Sequence, residues 1–150
     1  MILMADVHTP EIRSYNMSCI HASNTKPEEK VRKYLFSHGF RFRKNDKRYP
    51  GKPDIVLPKY KTCIFINGCF WHMHQNCKYF VMPKSNVSFW EQKLQKNVDR
   101  DKKNYQQLQA SGWQVLIIWE CQLKKSVFER TMNELINSIK NYQDHYSLYG

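Results

Sequence analysis

The most constraining feature of the chain is a short segment, residues 68–77, that concentrates metal-ligand side chains directly after an apolar stretch. Cys69, His74 and Cys77 lie within nine residues, and thiolate and imidazole are donors that tetrahedral zinc prefers. Cys121 follows the next apolar stretch, and it supplies a fourth donor if the two stretches are neighbouring strands of one sheet. The segment therefore predicts a loop held in place by structural zinc.

The cysteine count supports free thiols and a metal site over a disulfide framework, because five is an odd number. Cys19 and Cys63 are interpreted as ordinary free cysteines. Two alternatives stay open for the rest. The other thiols could simply be buried beside a surface histidine, and His72 competes with His74 as a ligand because it completes a Cys-x-x-His spacing with Cys69.

The charge of the chain predicts a polyanionic partner. The formal net charge is +11, and the stretch 26–61 alone holds twelve basic and four acidic residues. A solvated, solubilising surface is the alternative interpretation of such a stretch. Nucleic acid is the partner that this balance favours.

Length and hydropathy predict one soluble domain. A chain of 150 residues that is 41% hydrophobic can bury one core but has no room for a second domain. Its longest strictly apolar run, Val115–Trp119, has five residues, whereas a membrane span needs roughly 20. No positively charged stretch followed by an apolar segment opens the chain, so we expect a cytoplasmic protein.

Three capping-box pairs, each a Ser or Thr followed three residues later by Glu, predict the starts of three helices. The pairs are Thr25 with Glu28, Ser88 with Glu91, and Ser126 with Glu129. The first helix is expected to end at Gly39 and the second at Ala110. The predicted buried faces comprise Val31, Tyr34, Leu35 and His38 in the first helix and Met132, Leu135, Ile136 and Ile139 in the third.

Short segments rich in Ile, Val and Phe, bounded by Pro or Gly, predict four strands. They are Phe40–Asn45, Asp54–Leu57, Thr62–Asn67 and Trp113–Trp119. The order α-β-β-β-α-β predicts an α/β fold with a central mixed sheet, in which hairpins join the early strands and a crossover helix leads into the last. Residues 1–24 lack periodicity and are interpreted as an arm that orders on a partner.

Two aspartates and three aromatic residues complete the set of candidates. Asp54 begins a strand within the most basic region, where a carboxylate suits magnesium, and Asp101 on the long helix could orient a histidine. Phe70 and Trp71 lie in a polar segment, so we expect them to be exposed and able to touch a base stack, with Trp90 joining them. Solvated aspartates and core aromatics are the alternatives.

Several motifs resemble the very-short-patch repair (Vsr-type) DNA mismatch endonuclease family over residues 4 to about 125. The matching segments include Met4–His8, Arg13–Ser14, Asn16–Met17, Pro50–Asp54, Gly68–His72, Phe89–Trp90, Lys96–Asp101, Gly112–Trp113 and Trp119–Cys121. The resemblance implies a restriction-endonuclease-like domain over residues 25–150. It also implies an enzyme that nicks one strand beside the thymine of a thymine–guanine mismatch left by 5-methylcytosine deamination.

The resemblance assigns roles by position. Asp54 and the backbone carbonyl of Ile66 would hold catalytic magnesium, and His72 would act as the general base that activates water. Asp101 would orient His72, and Glu28 would support this network besides capping its helix. Asn97 would be a lesser polar member of the site.

The same resemblance assigns structural zinc to Cys69, His74, Cys77 and Cys121. Phe70, Trp71 and Trp90 would enter the base stack of a mismatched duplex, while the arm, with Met17, closes over the minor groove. The implied enzyme is a monomer without a membrane contact, and mismatch-repair proteins are conceivable further partners.

Two departures from the family pattern keep alternatives open. Asn67 stands where a histidine is expected, and the spacing from His74 to Cys77 is one residue longer, so a neighbouring ligand could substitute. A restriction enzyme of the same fold would cut both strands of a matched duplex. A zinc-containing DNA-binding module without activity is the alternative from another functional class.

Overall fold

A computed structural model describes residues 25–149, with side chains as far as residue 142. The predicted arm, including Met17, lies outside the described residues. The elements in chain order are α1 (Lys26–Ser37), β1 (Arg43–Lys44), β2 (Ile55–Leu57), β3 (Thr62–Asn67), α2 (Val87–Ala110), β4 (Gln114–Trp119) and α3 (Phe128–Tyr149). Two 3-10 turns, Pro58–Tyr60 and Glu120–Leu123, follow β2 and β4. The predicted order of elements is confirmed.

The four strands form one mixed sheet in the order β1-β2-β3-β4. The first three strands are antiparallel neighbours, and β4 lies parallel to β3 in a register that runs from Thr62 opposite Gln114 to Asn67 opposite Trp119. A parallel neighbour needs a crossover connection, and α2 provides it. The predicted mixed α/β architecture is confirmed, and the carboxyl ends of β3 and β4 lie side by side.

Alternate side chains of the sheet pack against different helices. Ile55 and Ile64 belong to a large core with the apolar faces of α1 and α3, whereas Val56 and Phe65 belong to a smaller core that includes Leu108 of α2. Because successive strand residues point to opposite faces, the sheet separates α1 and α3 on one side from α2 on the other. The predicted apolar stripe of the third helix is confirmed as core, since Met132, Leu135 and Ile139 are all buried.

The first helix begins and ends much as predicted. The Thr25 amide donates a 3.1 Å hydrogen bond to the Glu28 carboxylate, and Gly39 follows the helix in the left-handed region at φ +89°. One detail was wrong, because His38 is exposed and stacks on the ring of Tyr34 at a centroid distance of 4.1 Å.

The predicted start of the second helix was also wrong. Helix α2 begins at Val87, before Ser88, and the residue that precedes it is Asn86 at φ +55°, with no side-chain cap hydrogen bond. The first predicted strand is shorter than expected as well. Phe40 packs into the core, Asn45 is left-handed at φ +46°, and only Arg43–Lys44 pairs with β2.

None of the helices within residues 25–149 combines the length and the apolar content that crossing a bilayer requires.

Candidate active site and metal centre

An open cleft of about 940 Å³ lies where β3 ends and is lined by residues of α1, β3, α2 and the loops between them. Its wall includes Glu28 of α1, the basic segment around Lys52, the end of β3, and one face of α2. The titratable side chains that line it are Glu28, Lys47, Arg48, Tyr49, Lys52, Asp54, His72, Arg100, Asp101 and Glu120. Carboxylates, an imidazole and several cations therefore share one solvent-accessible space.

Asp54 is positioned by the sheet itself. It directly precedes β2, and its Oδ2 accepts a 2.7 Å hydrogen bond from the amide of Ile66 in β3. The amide and the carbonyl of one strand residue point to the same side, so the Ile66 carbonyl faces toward Asp54 as well. Burial, reinforced by Glu28 and opposed by the Ile66 amide, raises the pKa of Asp54 to about 7.

Glu28 makes two structural hydrogen bonds and also lines the cleft. Its carboxylate accepts hydrogen bonds from the Thr25 amide and from the Arg32 guanidinium, each at 3.1 Å, and it is also hydrogen-bonded to Asp54. Arg32 is buried with it, so the carboxylate keeps a compensating positive charge. Glu28 thus caps α1 and contacts Asp54 at the same time.

His72 and Asp101 form a hydrogen-bonded pair at the other side of the cleft. The Nδ1 atom of His72 contacts Oδ2 of Asp101, which projects from α2. An ionised carboxylate only accepts, so in the neutral imidazole Nδ1 carries the hydrogen and Nε2 has a free lone pair. Such a pair has the arrangement of a general base oriented by a carboxylate.

Asn97 supports the segment that carries His72 and does not face the cleft. It is 7% exposed, its Nδ2 donates to the carbonyl of Trp71 at 3.2 Å, and its Oδ1 accepts from Arg100 at 2.9 Å. Because the Trp71 carbonyl can only accept and the Arg100 guanidinium can only donate, these two contacts fix which end of the Asn97 amide is oxygen. Asn97 therefore holds the residue that directly precedes His72.

Asn67, at the end of β3, is engaged in a polar contact of its own. It is buried, it lines the cleft, and its Nδ2 donates to the hydroxyl of Tyr105 at 3.0 Å. Burial raises the pKa of Tyr105 to about 12, and the charges of Asp101 and Asp54 add to this effect, so the phenol stays protonated. The uncharged Asn67 amide thus lines this part of the cleft and is held by a neutral phenol.

The four predicted metal ligands converge behind the cleft. One donor atom from each of Cys69, His74, Cys77 and Cys121 lies within 4.8 Å of every other. A tetrahedral zinc ion with Zn–S distances of about 2.3 Å keeps its donors about 3.7 Å apart, so this donor set fits zinc after a small contraction. His74, and not His72, belongs to this cluster of donor atoms.

Parallel pairing of β3 and β4 brings the donors together, because Cys69 follows one strand and Cys121 follows the other. The His74 ring also stacks on Trp119, the last residue of β4, with centroids 3.9 Å apart and planes at 4°. Burial raises the pKa of Cys69 to about 12. Burial also acts to raise the pKa of Cys77, but hydrogen bonds with the Tyr79 amide and with the thiols of Cys69 and Cys121 outweigh it, so that pKa is lowered. The cluster joins the loop to the sheet.

The metal-ligand loop has an unusual backbone. Met73 and Asn76 are left-handed, at φ +50° and +56°, and the amide of His74 bonds to the carbonyl of Cys69 at 2.9 Å. The left-handed region is costly for a residue such as Met, so surrounding contacts must hold it. The longer spacing between His74 and Cys77 is accommodated here, since Asn76 makes the extra turn.

Comparisons with known proteins identify the family. The family model described as DNA mismatch endonuclease Vsr matches residues 5–78. The type II nicking enzyme V.NmeAIP of Neisseria meningitidis is 52% identical over 139 residues, which cover 92% of this chain and 99% of that protein. The DNA mismatch endonuclease Vsr of Escherichia coli is 44% identical over 121 residues, or 81% of this chain and 77% of its own. The chain belongs to the Vsr family.

Membership of the Vsr family confirms the predicted enzyme class, a DNA endonuclease. A third relative, the type II nicking enzyme V.XorIIP of Xanthomonas oryzae, is 42% identical over 80% of this chain and 88% of its own length. The similarity to the N. meningitidis enzyme extends well beyond the 5–78 match of the family model, over most of the chain.

For this Vsr-family chain, the prediction that Phe70 and Trp71 are both exposed was wrong. Trp71 is 6% exposed and Trp90 is 7% exposed, and both pack around Leu94 in a small aromatic cluster with Phe70 at its edge. Phe70 contacts Trp71 and Trp90 edge to face at 5.1 and 5.4 Å. The ligand side chains of this segment point toward one another, so its polarity did not indicate exposure.

Sequence reasoning missed several residues of the cleft in this Vsr-family enzyme. Arg100 and Asn104 line it beside Asp101, and Tyr105 pairs with Asn67. Their signal was helical spacing, since residues three, four, seven and eight positions after Asn97 share its face of α2. That spacing becomes informative only once one residue of the face is placed in the cleft.

Proposed function

We propose that this Vsr-family endonuclease nicks one strand of duplex DNA beside the thymine of a thymine–guanine mismatch, by magnesium-dependent hydrolysis of a phosphodiester. The observation that carries the proposal is the placement of Asp54 and the His72–Asp101 pair in one cleft. The relatives, a mismatch endonuclease and nicking enzymes, support the substrate and the cutting of a single strand. Lys47, Arg48 and Lys52 form a basic rim along the cleft, and this rim fits a polyanion.

Asp54 and the Ile66 carbonyl are the donors that would hold magnesium. Oxygen ligands suit this ion, which takes one or two carboxylates and leaves room for phosphate oxygens and water. When bound, it supplies charge stabilisation at the phosphate and at the departing 3′ oxygen. Glu28, within hydrogen-bond reach of Asp54, fits a supporting role.

His72 would remove the proton from the attacking water. Its Nδ1 is held by Asp101, so Nε2 can accept that proton without a change of tautomer. Water adds to phosphorus as the bond to the 3′ oxygen breaks, which leaves a 3′ hydroxyl and a 5′ phosphate. Asp101 stabilises the imidazolium that forms.

The Cys69, His74, Cys77 and Cys121 cluster would hold structural zinc. Its role in the reaction is indirect, because the loop it fixes also carries His72 and the aromatic cluster. Phe70, Trp71 and Trp90 would distort the mismatched step, which costs less to unstack than a paired one. Since Trp71 and Trp90 are buried and Phe70 is only partly buried, Phe70 would touch DNA first.

The domain arrangement belongs to the same proposal. A restriction-endonuclease-like catalytic domain over residues 25–150 fits the α-β-β-β-α-β core, with the metal-binding carboxylate at the start of β2. The arm, residues 1–24 with Met17, would close over the minor groove.

The deciding experiment measures cleavage of each strand in duplexes that carry every possible mismatch and in a matched duplex, with and without magnesium. The proposal expects magnesium-dependent nicking of one strand beside the thymine of a thymine–guanine pair. Cutting of both strands in a matched duplex would favour the restriction enzyme. Binding without cleavage under any condition would favour an inactive DNA-binding module.

A further inference from the structure

One face of α2 contributes more to the cleft than the residues assigned so far. Asn97, Arg100, Asp101 and Asn104 follow the helical spacing of three, four and seven, and the last three line the cleft. Asp101 orients His72, but neither the resemblance nor the comparisons give Arg100 a role. Its guanidinium is the only cation that this helix adds to the cleft within the described residues.

The guanidinium of Arg100 is anchored on one side. One terminal nitrogen, Nη2, donates to Asn97 at 2.9 Å. Within the described residues, no carboxylate forms an ion pair with Arg100 at 4.0 Å or less. In that same part of the chain the Asn97 amide is its hydrogen-bond partner, so four of its five N–H groups remain for a ligand.

The charge balance of the cleft favours such a cation. Four acidic residues, Glu28, Asp54, Asp101 and Glu120, line the cleft that would receive a phosphodiester, and their charges repel it. Arg48 cannot fully compensate, because Asp46 holds its guanidinium through two side-chain bonds of 3.0 and 2.7 Å. Arg100 is the planar, forked donor that matches two phosphate oxygens.

We infer that Arg100 binds non-bridging oxygens of the scissile phosphate, and that Asn97 positions it. This inference rests on the proposed nicking reaction. Asn97 is suited to the task because the same amide also holds the Trp71 carbonyl, one residue before His72. One buried side chain thus sets the phosphate ligand and the general base relative to each other.

The test compares Arg100→Gln and Arg100→Lys with Lys102→Gln. The control removes the same charge from an exposed residue two positions along α2, about 200° around the helix, that does not line the cleft. Affinity is measured in magnesium-free buffer for a duplex with an ordinary scissile phosphate and for one with a neutral methylphosphonate there. This readout detects the contact without any cleavage.

Wild-type protein and Lys102→Gln should lose about tenfold in affinity when the phosphate is neutralised, on the scale of one charge-assisted hydrogen-bond pair. Arg100→Gln should bind both duplexes within about twofold, because the interaction partner is already gone. Single-turnover nicking should fall by about 10²-fold in Arg100→Gln, recover in part in Arg100→Lys, and change little in Lys102→Gln.

The inference is overturned if the methylphosphonate lowers the duplex affinity of Arg100→Gln as much as that of the wild-type protein. It is also overturned if Arg100→Gln and Lys102→Gln nick at equal rates. Nicking by the wild-type protein is established first on the mismatch panel. If it nicks at a different pair, the thymine–guanine assignment fails, and the same comparison at the phosphate that is cut still decides the role of Arg100.

Discussion

Nδ1 of His72 is hydrogen-bonded to Oδ2 of Asp101, although 29 positions of sequence separate the two residues. The imidazole comes from the loop after β3 and the carboxylate from the middle of α2, so neither element alone makes the pair. Packing of α2 across the sheet is what assembles them. A histidine–carboxylate pair formed by the tertiary fold is in place before any substrate arrives, which would lower the cost of ordering it during the proposed reaction.

The His72–Asp101 pair predicts a large, specific effect of Asp101→Asn. The amide loses the charge that stabilises imidazolium and presents a donor that competes for the wrong tautomer, so the nicking rate should fall by about 10²- to 10⁴-fold. Asp99→Asn is the matched control, because Asp99 is exposed on the same helix and bonds only to Gln95 among the contacts described. Single-turnover rates and duplex affinity should be measured together, and equal rates in the two variants would contradict the role of Asp101.

The raised pKa of Asp54, about 7, predicts that magnesium must compete with a proton below neutral pH. The half-saturating magnesium concentration should therefore be about tenfold higher at pH 6 than at pH 8. Midpoints of magnesium titrations measure this competition separately from any change in the maximal rate. A midpoint that does not vary with pH would exclude the proton competition.

The raised pKa of Asp54 also predicts how the stability of the fold changes with pH. Because the native state keeps a proton that the unfolded chain gives up near its ordinary value of 3.8, stability in magnesium-free buffer should fall as pH rises from about 4 to 7. Asp54→Asn removes this titration, so its Tm should decline less over that range. Parallel Tm-against-pH curves for the two proteins would contradict the shift.

The metal cluster predicts that Cys69→Ser and Cys121→Ser lower zinc content and thermal stability together, since binding energy at such a site is folding energy. Cys63→Ala is the control, because Cys63 lies fully buried in β3 and outside the cluster. It should lose stability by leaving a small cavity while its zinc stoichiometry stays unchanged. Elemental analysis and thermal melts make the comparison, and full zinc loading of either serine variant would remove that residue from the ligand set.

Gly51 predicts a conformational requirement at the basic rim of the cleft. It is left-handed at φ +78°, and an added Cβ would lie 3.0 Å from Phe65 and 3.1 Å from Asn104. Gly51→Ala should therefore destabilise the fold by about 1–3 kcal/mol and lower the nicking rate. Gly39→Ala isolates the backbone cost, because Gly39 has φ +89° but no atom within 4 Å of the new Cβ. Urea unfolding should show the smaller loss for Gly39→Ala, with its nicking rate unchanged.

Local patterns were sufficient where the signal lies within one element. The strand Thr62–Asn67 has the predicted bounds, and the α1 cap and the apolar stripe of α3 also follow the sequence. The convergence of Cys69, His74, Cys77 and Cys121 was predictable because their donor chemistry is specific and the parallel pairing of two strands follows from the order of elements. The start of α2 could not be predicted in this way, because Asn86 makes a left-handed turn in place of a side-chain cap.

Contacts between distant segments could not be predicted from local pattern. Trp71 and Trp90 lie in polar surroundings along the chain, yet the start of α2 packs over the loop and buries both rings. Arg100 looked like any charged residue of a charged helix, because its significance depends on Asn97 and on the cleft beside it. Both cases depend on which face of α2 packs against the rest of the domain. Tertiary packing determines that face, and a local sequence pattern does not.

The placement of the last cysteine has a consequence for how the protein is made. Cys69, His74 and Cys77 leave the ribosome well before Cys121, which lies 47 positions after His74 and just beyond the end of β4. A nascent chain that ends earlier has three donors and no parallel partner for β3, so it could offer an ion only an incomplete shell. Zinc held by all four donors would therefore report that the sheet has closed, and a truncated translation product would lack this complete site.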